Sequence, residues 1–341
     1  MTRLPSEYGI TPWQPEIVLP SFALSDIRFS RGFLTADYLR LCRKISTLWV
    51  PVLSAAEVEL TDIRVVADFN LPNELDRTFL FRVDGELSVI GVSSRTEDIL
   101  ARLFLETGEL KASKLLCDYL SRRLVSSLAR FCSDDAAVAA PMSFGYQGEA
   151  ELRDVEIEGH LSLSSSTRLG EIGIHLGFGP EFLQRLDRTL RTRTLAEWGL
   201  KPEARKQQFA VDLGSFPDLP EELEPGAWFD TEIDVLSPVR LLSPTGEIFF
   251  GRLGQFNGRF SVRALKGAPQ KLDRNGVRLE LARGELAEEE LIFMRKDGAI
   301  FPTRNVVSSA ALLVRGDELL ANVTLAELEG RFVIRIDEVL P

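Results

Sequence analysis

The stretch Asn257-Gly258-Arg259-Phe260-Ser261-Val262-Arg263 returns as Glu329-Gly330-Arg331-Phe332-Val333-Ile334-Arg335, an offset of 72 positions from Gly258 to Gly330. Gly226 returns as Gly298 at the same offset. In each copy an alternating apolar run leads into a tight glycine turn. A strand follows with Phe and Val or Ile on one face and Arg on the other. Asn257-Gly258 is a strong type I′ hairpin signal, because both central residues of that turn need positive φ. Each copy spans roughly 60 residues, a size at which a unit buries little surface alone. Two such modules, 205–267 and 273–341, are therefore expected to complete each other's cores through edge or exchanged strands. Phe260, Val262, Phe332, Ile334 and Ile336 form the expected pairing core, and Gly226, Gly258, Gly298 and Gly330 the structural turns.

Upstream, residues 1–30 are rich in proline and aromatics without periodicity and read as an extended arm. Residues 31–200 read as one α+β domain. Leu34–Val50 has helical spacing with Pro51 ending it, and Lys111–Phe131 carries Leu116, Leu120, Leu124 and Leu128 as a core-facing stripe. A helix is also expected at Glu97–Glu106, and strands at Val58–Phe69, Thr78–Val83 and Glu86–Val92, the last two joined by Asp84-Gly85. A weaker echo links Gly85-Glu86-Leu87-Ser88-Val89 to Gly170-Glu171-Ile172-Gly173-Ile174, each followed by an amphipathic helix, which suggests internal pseudo-symmetry. Leu195–Gln207, polar and containing Pro202, reads as a linker. Further strands are expected at Ile233–Arg240 and Glu247–Phe256, and a short helix at Glu285–Leu291.

Composition removes several classes of function. A net charge of −11 argues against a general nucleic-acid binder, which needs a basic footprint. Arg185, Arg188, Arg191 and Arg193 read as a solvated helix face. No apolar run approaches the roughly 20 residues of a membrane span, and no apolar signal core is present, so a cytoplasmic protein is expected. Cys42, Cys117 and Cys132 are widely spaced and read as free thiols, with neither a disulfide framework nor a zinc site. His160 and His175 have no cysteine or carboxylate at ligand spacing and read as structural. There is no Gly-rich phosphate loop and no Gly-x-Ser-x-Gly elbow, so neither an enzyme nor a cofactor is expected. Trp228, Phe229, Phe249 and Phe250 lie amid Asp218, Glu221, Glu222, Glu224, Asp230, Glu232 and Asp234, and are the candidates for an apolar partner-binding anchor ringed by acids.

The order of strand, glycine, short Leu/Glu helix, turn and closing hairpin resembles the SpoA domain of the FliM/FliN family. Glu224-Pro225-Gly226-Ala227 and Lys296-Asp297-Gly298-Ala299 resemble its central turn. Gly316-Asp317-Glu318-Leu319-Leu320-Ala321 and Gly330-Arg331-Phe332-Val333-Ile334-Arg335-Ile336 resemble its C-terminal hairpin. Two tandem SpoA domains behind a divergent FliM-middle-like α+β domain resemble the layout of the type III secretion SctQ (YscQ/HrcQ) family, over 208–341 by motif and elsewhere by layout. The resemblance implies two small all-β domains of intertwined strand pairs. It implies a non-enzymatic scaffold of the cytoplasmic sorting platform, or C-ring, at the cytoplasmic face of the inner membrane. The implied partners are a stalk protein of the SctL/HrpE type, an adaptor of the SctK type, the export ATPase indirectly, chaperone–effector complexes, and the chain itself or a short SpoA2 product. That product would need an internal start at a non-Met codon, Val277 being one candidate, since Met142 and Met294 are poorly placed. The alternative is a flagellar motor switch protein of the FliM/FliN kind. The arm Met1–Pro20 lacks an acidic amphipathic peptide for a response regulator, and no Glu-x-x-Asn pair marks a CheC-like phosphatase helix.

Overall fold

The computed structural model describes residues 1–4, 9–55, 62–68, 75–105, 110–133, 142–151, 155–201, 205–216, 223–272 and 276–340. The chain is α+β and divides into two compact units, Gly32–Gly199 and Met1–Arg31 with Leu200–Pro341.

Gly32–Gly199 is built twice from the order helix, three strands, helix. The first half is α1 (Leu39–Ala55), β1 (Asp62–Asp68), β2 (Arg77–Val83), β3 (Glu86–Val92) and α2 (Ser94–Phe104). The second is α3 (Leu110–Ser133), β4 (Phe144–Glu149), β5 (Gly159–Thr167), β6 (Gly170–Phe178) and α4 (Pro180–Glu197). The sheet runs β1-β5-β6-β3-β2-β4, antiparallel throughout. The two halves meet at β3 and β6, and each lends its first strand to the other's hairpin. The echo between Glu86 and Glu171 is thus a real internal symmetry. Ser93 caps α2 by accepting the Thr96 N–H at 3.2 Å. The Glu86 carboxylate caps α4 by accepting the Glu181 N–H at 3.0 Å and the Phe182 N–H. Phe33, Phe79, Phe81, Phe131 and Phe178 are fully buried in this core.

The other unit contains β7 (Lys206–Phe216), β8 (Trp228–Asp234), β9 (Val239–Leu242), β10 (Glu247–Phe256) and β11 (Arg259–Ala264) from the first repeat. The second repeat supplies β12 (Val277–Ala287), β13 (Ile300–Val306), β14 (Ala310–Arg315), β15 (Glu318–Leu328) and β16 (Arg331–Val339). Together they form one antiparallel sheet in the order β8-β16-β15-β14-β12-β7-β9-β10-β11-β13. The first strands of the two repeats, β7 and β12, pair at its centre. The second strands are exchanged: β8 pairs with β16 of the other repeat, and β13 with β11. The segments read as an arm and two separate modules are therefore one body. The exchange joins the repeats within one chain, with Phe229 opposite Ile334 and Phe301 opposite Val262.

Both repeated hairpins are type I′ turns. Asn257 and Glu329 have φ of 49° and 51°, and Gly258 and Gly330 have φ of 69° and 80°. Gly226 and Gly298, at φ of 87° and 85°, stand where the exchanged strands enter the other repeat. The Gly226 N–H donates to the Ile336 carbonyl at 2.7 Å, and the Gly298 N–H to the Ala264 carbonyl at 2.9 Å.

Several local expectations are corrected. The arm is not simply extended: it holds short helices at Pro15–Val18 and Leu24–Phe29 and strand pairings at Thr2–Arg3 and Thr11–Pro12. Helix α1 continues through Pro51 to Ala55, and α4 runs into the expected linker as far as Glu197. The strand expected at Ile233–Arg240 is interrupted, because Asp234 Oδ1 accepts the Leu236 N–H at 2.7 Å and its carbonyl accepts the Ser237 N–H, closing a turn. In place of the helix at Glu285–Leu291, β12 extends to Ala287, paired to Lys206, and a 3₁₀ helix follows at Glu288–Arg295. Part of the expected Val58–Phe69 strand, at 58–61 and 69, lies outside the described residues.

Two outcomes follow from this topology. Glu329 holds a left-handed conformation that costs a side chain with Cβ about 1 kcal/mol. Glu329→Asn, which matches the first copy, should raise the thermal midpoint by about 2–4 °C. Cutting the connection between Lys266 and Val277 should leave the two halves co-migrating on a native gel and separating only in denaturant. Separation without denaturant would contradict the strand exchange.

Candidate interaction surface

The five expected pairing residues are all buried: Phe260, Val262, Phe332, Ile334 and Ile336 are each at most 3% exposed. Ser261 and Val333, which point to the opposite face, are also fully buried, so these strands are covered on both sides at their middles. The sequence comparison missed a second pair at the same offset. Thr231 Oγ1 donates to the Phe332 carbonyl, and Thr303 Oγ1 donates to the Phe260 carbonyl at 2.9 Å. Each threonine sits on an exchanged strand and satisfies the repeated phenylalanine of the other repeat. The 72-residue offset would have revealed it.

Of the four residues read as a partner-binding anchor, two are interior. Phe229 is fully buried opposite Ile334, and Phe249 is 4% exposed with the Arg295 guanidinium 5.9 Å from its ring. Trp228 and Phe250 are half-buried, and Arg335 covers the Trp228 ring at 5.8 Å. The acids expected to ring them divide: Asp230 is buried beside Arg331 at 3.1 Å, whereas Asp218, Glu221 and Glu222 lie outside the described residues.

The apolar surface that the structure does offer lies over the repeated phenylalanines. Trp13, 6% exposed, stacks on Phe260 with centroids 6.4 Å apart and meets Phe332 edge-on at 5.2 Å. Beside it is a cavity of about 640 Å³ lined by Leu19, Leu213, Ile233, Leu236, Leu253 and Phe332 among others. Leu236, at the tip of the turn after β8, is 88% exposed.

Near the centre of the sheet the symmetry breaks in charge. Asp212 is fully buried, accepts from Arg240 Nε and lies 3.7 Å from Arg278 Nη1. Glu280, also buried, pairs with Arg283, and Arg278 Nη2 donates to the Gly316 carbonyl at 2.8 Å. At the repeat offset these positions correspond to Gly284, Leu312, Lys206 and Gln208, so the network occurs once. Burial pushes the Asp212 carboxyl above the ordinary carboxylate value, against the hydrogen bond from Arg240 and the charges of both arginines. Removing that shared counter-ion leaves the Arg240 guanidinium with only the Ser215 hydroxyl and Arg278 with only Glu280, at 3.9 Å, as its carboxylate neighbour. Asp212→Ala should cost about 3–5 kcal/mol in denaturant unfolding. Asp212→Asn, which keeps an acceptor for Arg240, should cost distinctly less.

His160 Nε2 and His175 Nδ1 share the Ser162 hydroxyl at 3.0 and 2.8 Å. Burial pushes the Cys117 and Cys132 thiols up to about 12, which keeps them protonated at neutral pH. Among the described residues no group of three His, Cys, Asp or Glu is placed to hold a metal. None of their helices is long and apolar enough to cross a membrane.

No family model matches the chain, and no curated protein matches it. Among solved structures, the FliM middle domain from H. pylori aligns over 48% of this chain and 98% of its own, with 11% identity and a TM-score of 0.33. The FliG–FliM complex from H. pylori aligns over 48% and 99%, with 11% identity and a TM-score of 0.32. The CheX–CheY complex from Borrelia burgdorferi aligns over 42% and 99%, with 12% identity and a TM-score of 0.30. The chain is similar to these proteins at a distance that carries no argument about its function.

Proposed function

We propose that the chain is a non-enzymatic structural component of the cytoplasmic sorting platform of a type III secretion injectisome. In this reading it links the membrane-ring adaptor to the stalk protein and export ATPase, and helps to recruit export substrates. One observation carries the proposal: the tandem SpoA-like repeats exchange β8 and β13, so that neither has a complete sheet without the other. A polypeptide that spends two modules on one shared body gains rigidity and a composite surface, which suits a part of an assembly. The repeated central turns and closing hairpins, which carry the SpoA resemblance, stand at the points of exchange. The fold offers partners an apolar groove, which accepts a peptide segment through backbone pairing and side-chain anchors.

Affinity purification of the full chain from its native host, followed by mass spectrometry, tests this. The stalk protein and export ATPase should co-purify and be lost together when Phe332→Asp disrupts the repeat pair. Recovery of flagellar switch components in their place, or of neither set, would overturn the assignment.

A further inference from the structure

The arm visits the repeat pair at symmetry-related points. Thr11–Pro12 pairs with Ala326 and Glu327 on β15. The Phe22 N–H donates to the Gln255 carbonyl at 2.8 Å, and the Gln255 N–H to the Pro20 carbonyl at 2.9 Å. Gln255 and Glu327 are equivalent positions, 72 residues apart. Between these two attachments lies Trp13, wedged between Phe260 and Phe332, which are also equivalent. The arm therefore crosses the pseudo-twofold axis, with its one buried indole upon it. Farther out, Leu4 N–H donates to the Trp228 carbonyl at 2.9 Å, and Ser30 Oγ accepts the Ile300 N–H at 3.1 Å, again at equivalent positions.

Two observations distinguish the arm from ordinary core. Its packing is incomplete: the 640 Å³ cavity runs beside Trp13, Val18, Leu19 and Pro20, and Ile17 and Val18 are 76% and 62% exposed. Its hold is also that of a bound peptide, with backbone hydrogen bonds at both ends, the buried Trp13 as its large aromatic anchor and the Phe22 ring under the Arg263 guanidinium at 4.9 Å. The groove is shaped to receive it. A Cβ on Gly254 would lie 2.5 Å from the Phe22 ring and 2.9 Å from the Pro20 carbonyl oxygen.

We infer that the groove on the pseudo-twofold axis is a peptide-binding site for a proline-flanked segment that carries a tryptophan ahead of a short helical turn, and that residues 9–23 are its tethered occupant. The occupant in trans is a segment of that same chemistry, which must displace the arm to enter. Tethering gives the arm an effective concentration in the millimolar range, so it blocks the site against dilute competitors without a high intrinsic affinity. The inference rests on the observed repeat pair and not on the secretion reading.

The test uses the full chain and a fluorescein-labelled peptide of residues 9–23, followed by anisotropy. Full-length Trp13→Ala should bind the peptide at least tenfold more tightly than wild type, because its own arm no longer holds the groove. A peptide carrying Trp13→Ala should bind neither chain. Equal binding to both chains, or no binding to a Trp13→Ala chain that still melts cooperatively, would overturn the inference. Loss of the cooperative fold in Trp13→Ala would do so as well, since it would make the indole an integral part of the core. Hydrogen exchange on wild type gives an independent reading. The Phe22 and Gln255 amides should exchange by local opening, at least tenfold faster than Val262 in β11. Exchange of all three only through global unfolding would count against a displaceable arm.

Discussion

The exchange of β8 and β13 between the repeats is the constraint from which the rest of the C-terminal architecture follows. A β-strand without a neighbour exposes a row of unpaired backbone donors and acceptors, and each repeat on its own has such an edge at β11 or β16. The exchanged strand satisfies that edge and carries Phe229 or Phe301 into the core beneath it. The turns at Gly226 and Gly298 and the hydroxyls of Thr231 and Thr303 all serve this junction. Duplication thus supplies a complement as well as a second copy.

The two halves of that body are not interchangeable. The buried network of Asp212, Arg240, Arg278 and Glu280 has apolar, glycine or amide counterparts, or an unburied lysine, at the equivalent positions. Buried ion pairs contribute little net stability against apolar packing of the same volume, but mispairing them is expensive. A charge pattern present on one side only makes β7 and β12 recognise each other in one register. That favours the pairing of unlike repeats over the pairing of like ones.

Much of this was legible in the amino acids, and the failures have physical reasons. The 72-residue period marks both hairpins, the four glycines of positive φ and five residues that are at most 3% exposed, because turn chemistry is local and φ-dependent. The period also holds Thr231 and Thr303, whose role is not legible from residue type because threonine suits an exposed strand equally well. Phe229 and Phe249 were misplaced at a surface because acids flank them in sequence, whereas a strand sends neighbours to opposite faces. The arm was the least legible part. Its backbone partners are supplied by strands far along the chain, so no periodicity within residues 1–30 can encode them, and Trp13 acquires its meaning only once Phe260 and Phe332 stand together.

Strand exchange also sets a timetable for synthesis. As the polypeptide emerges, β8 is made early but its partner β16 is the last strand of the second repeat. Until then the segment carrying Phe229 has only the two-residue strand Thr2–Arg3 to pair with and leaves its other edge open, the kind of surface on which nascent chains associate wrongly. Its strand pairing with β16 is non-local, which slows the final closure. The same interlocking that unites the two repeats therefore leaves the nascent polypeptide most vulnerable just before the second repeat is finished, when a chaperone or a ready-made partner strand has most to offer it.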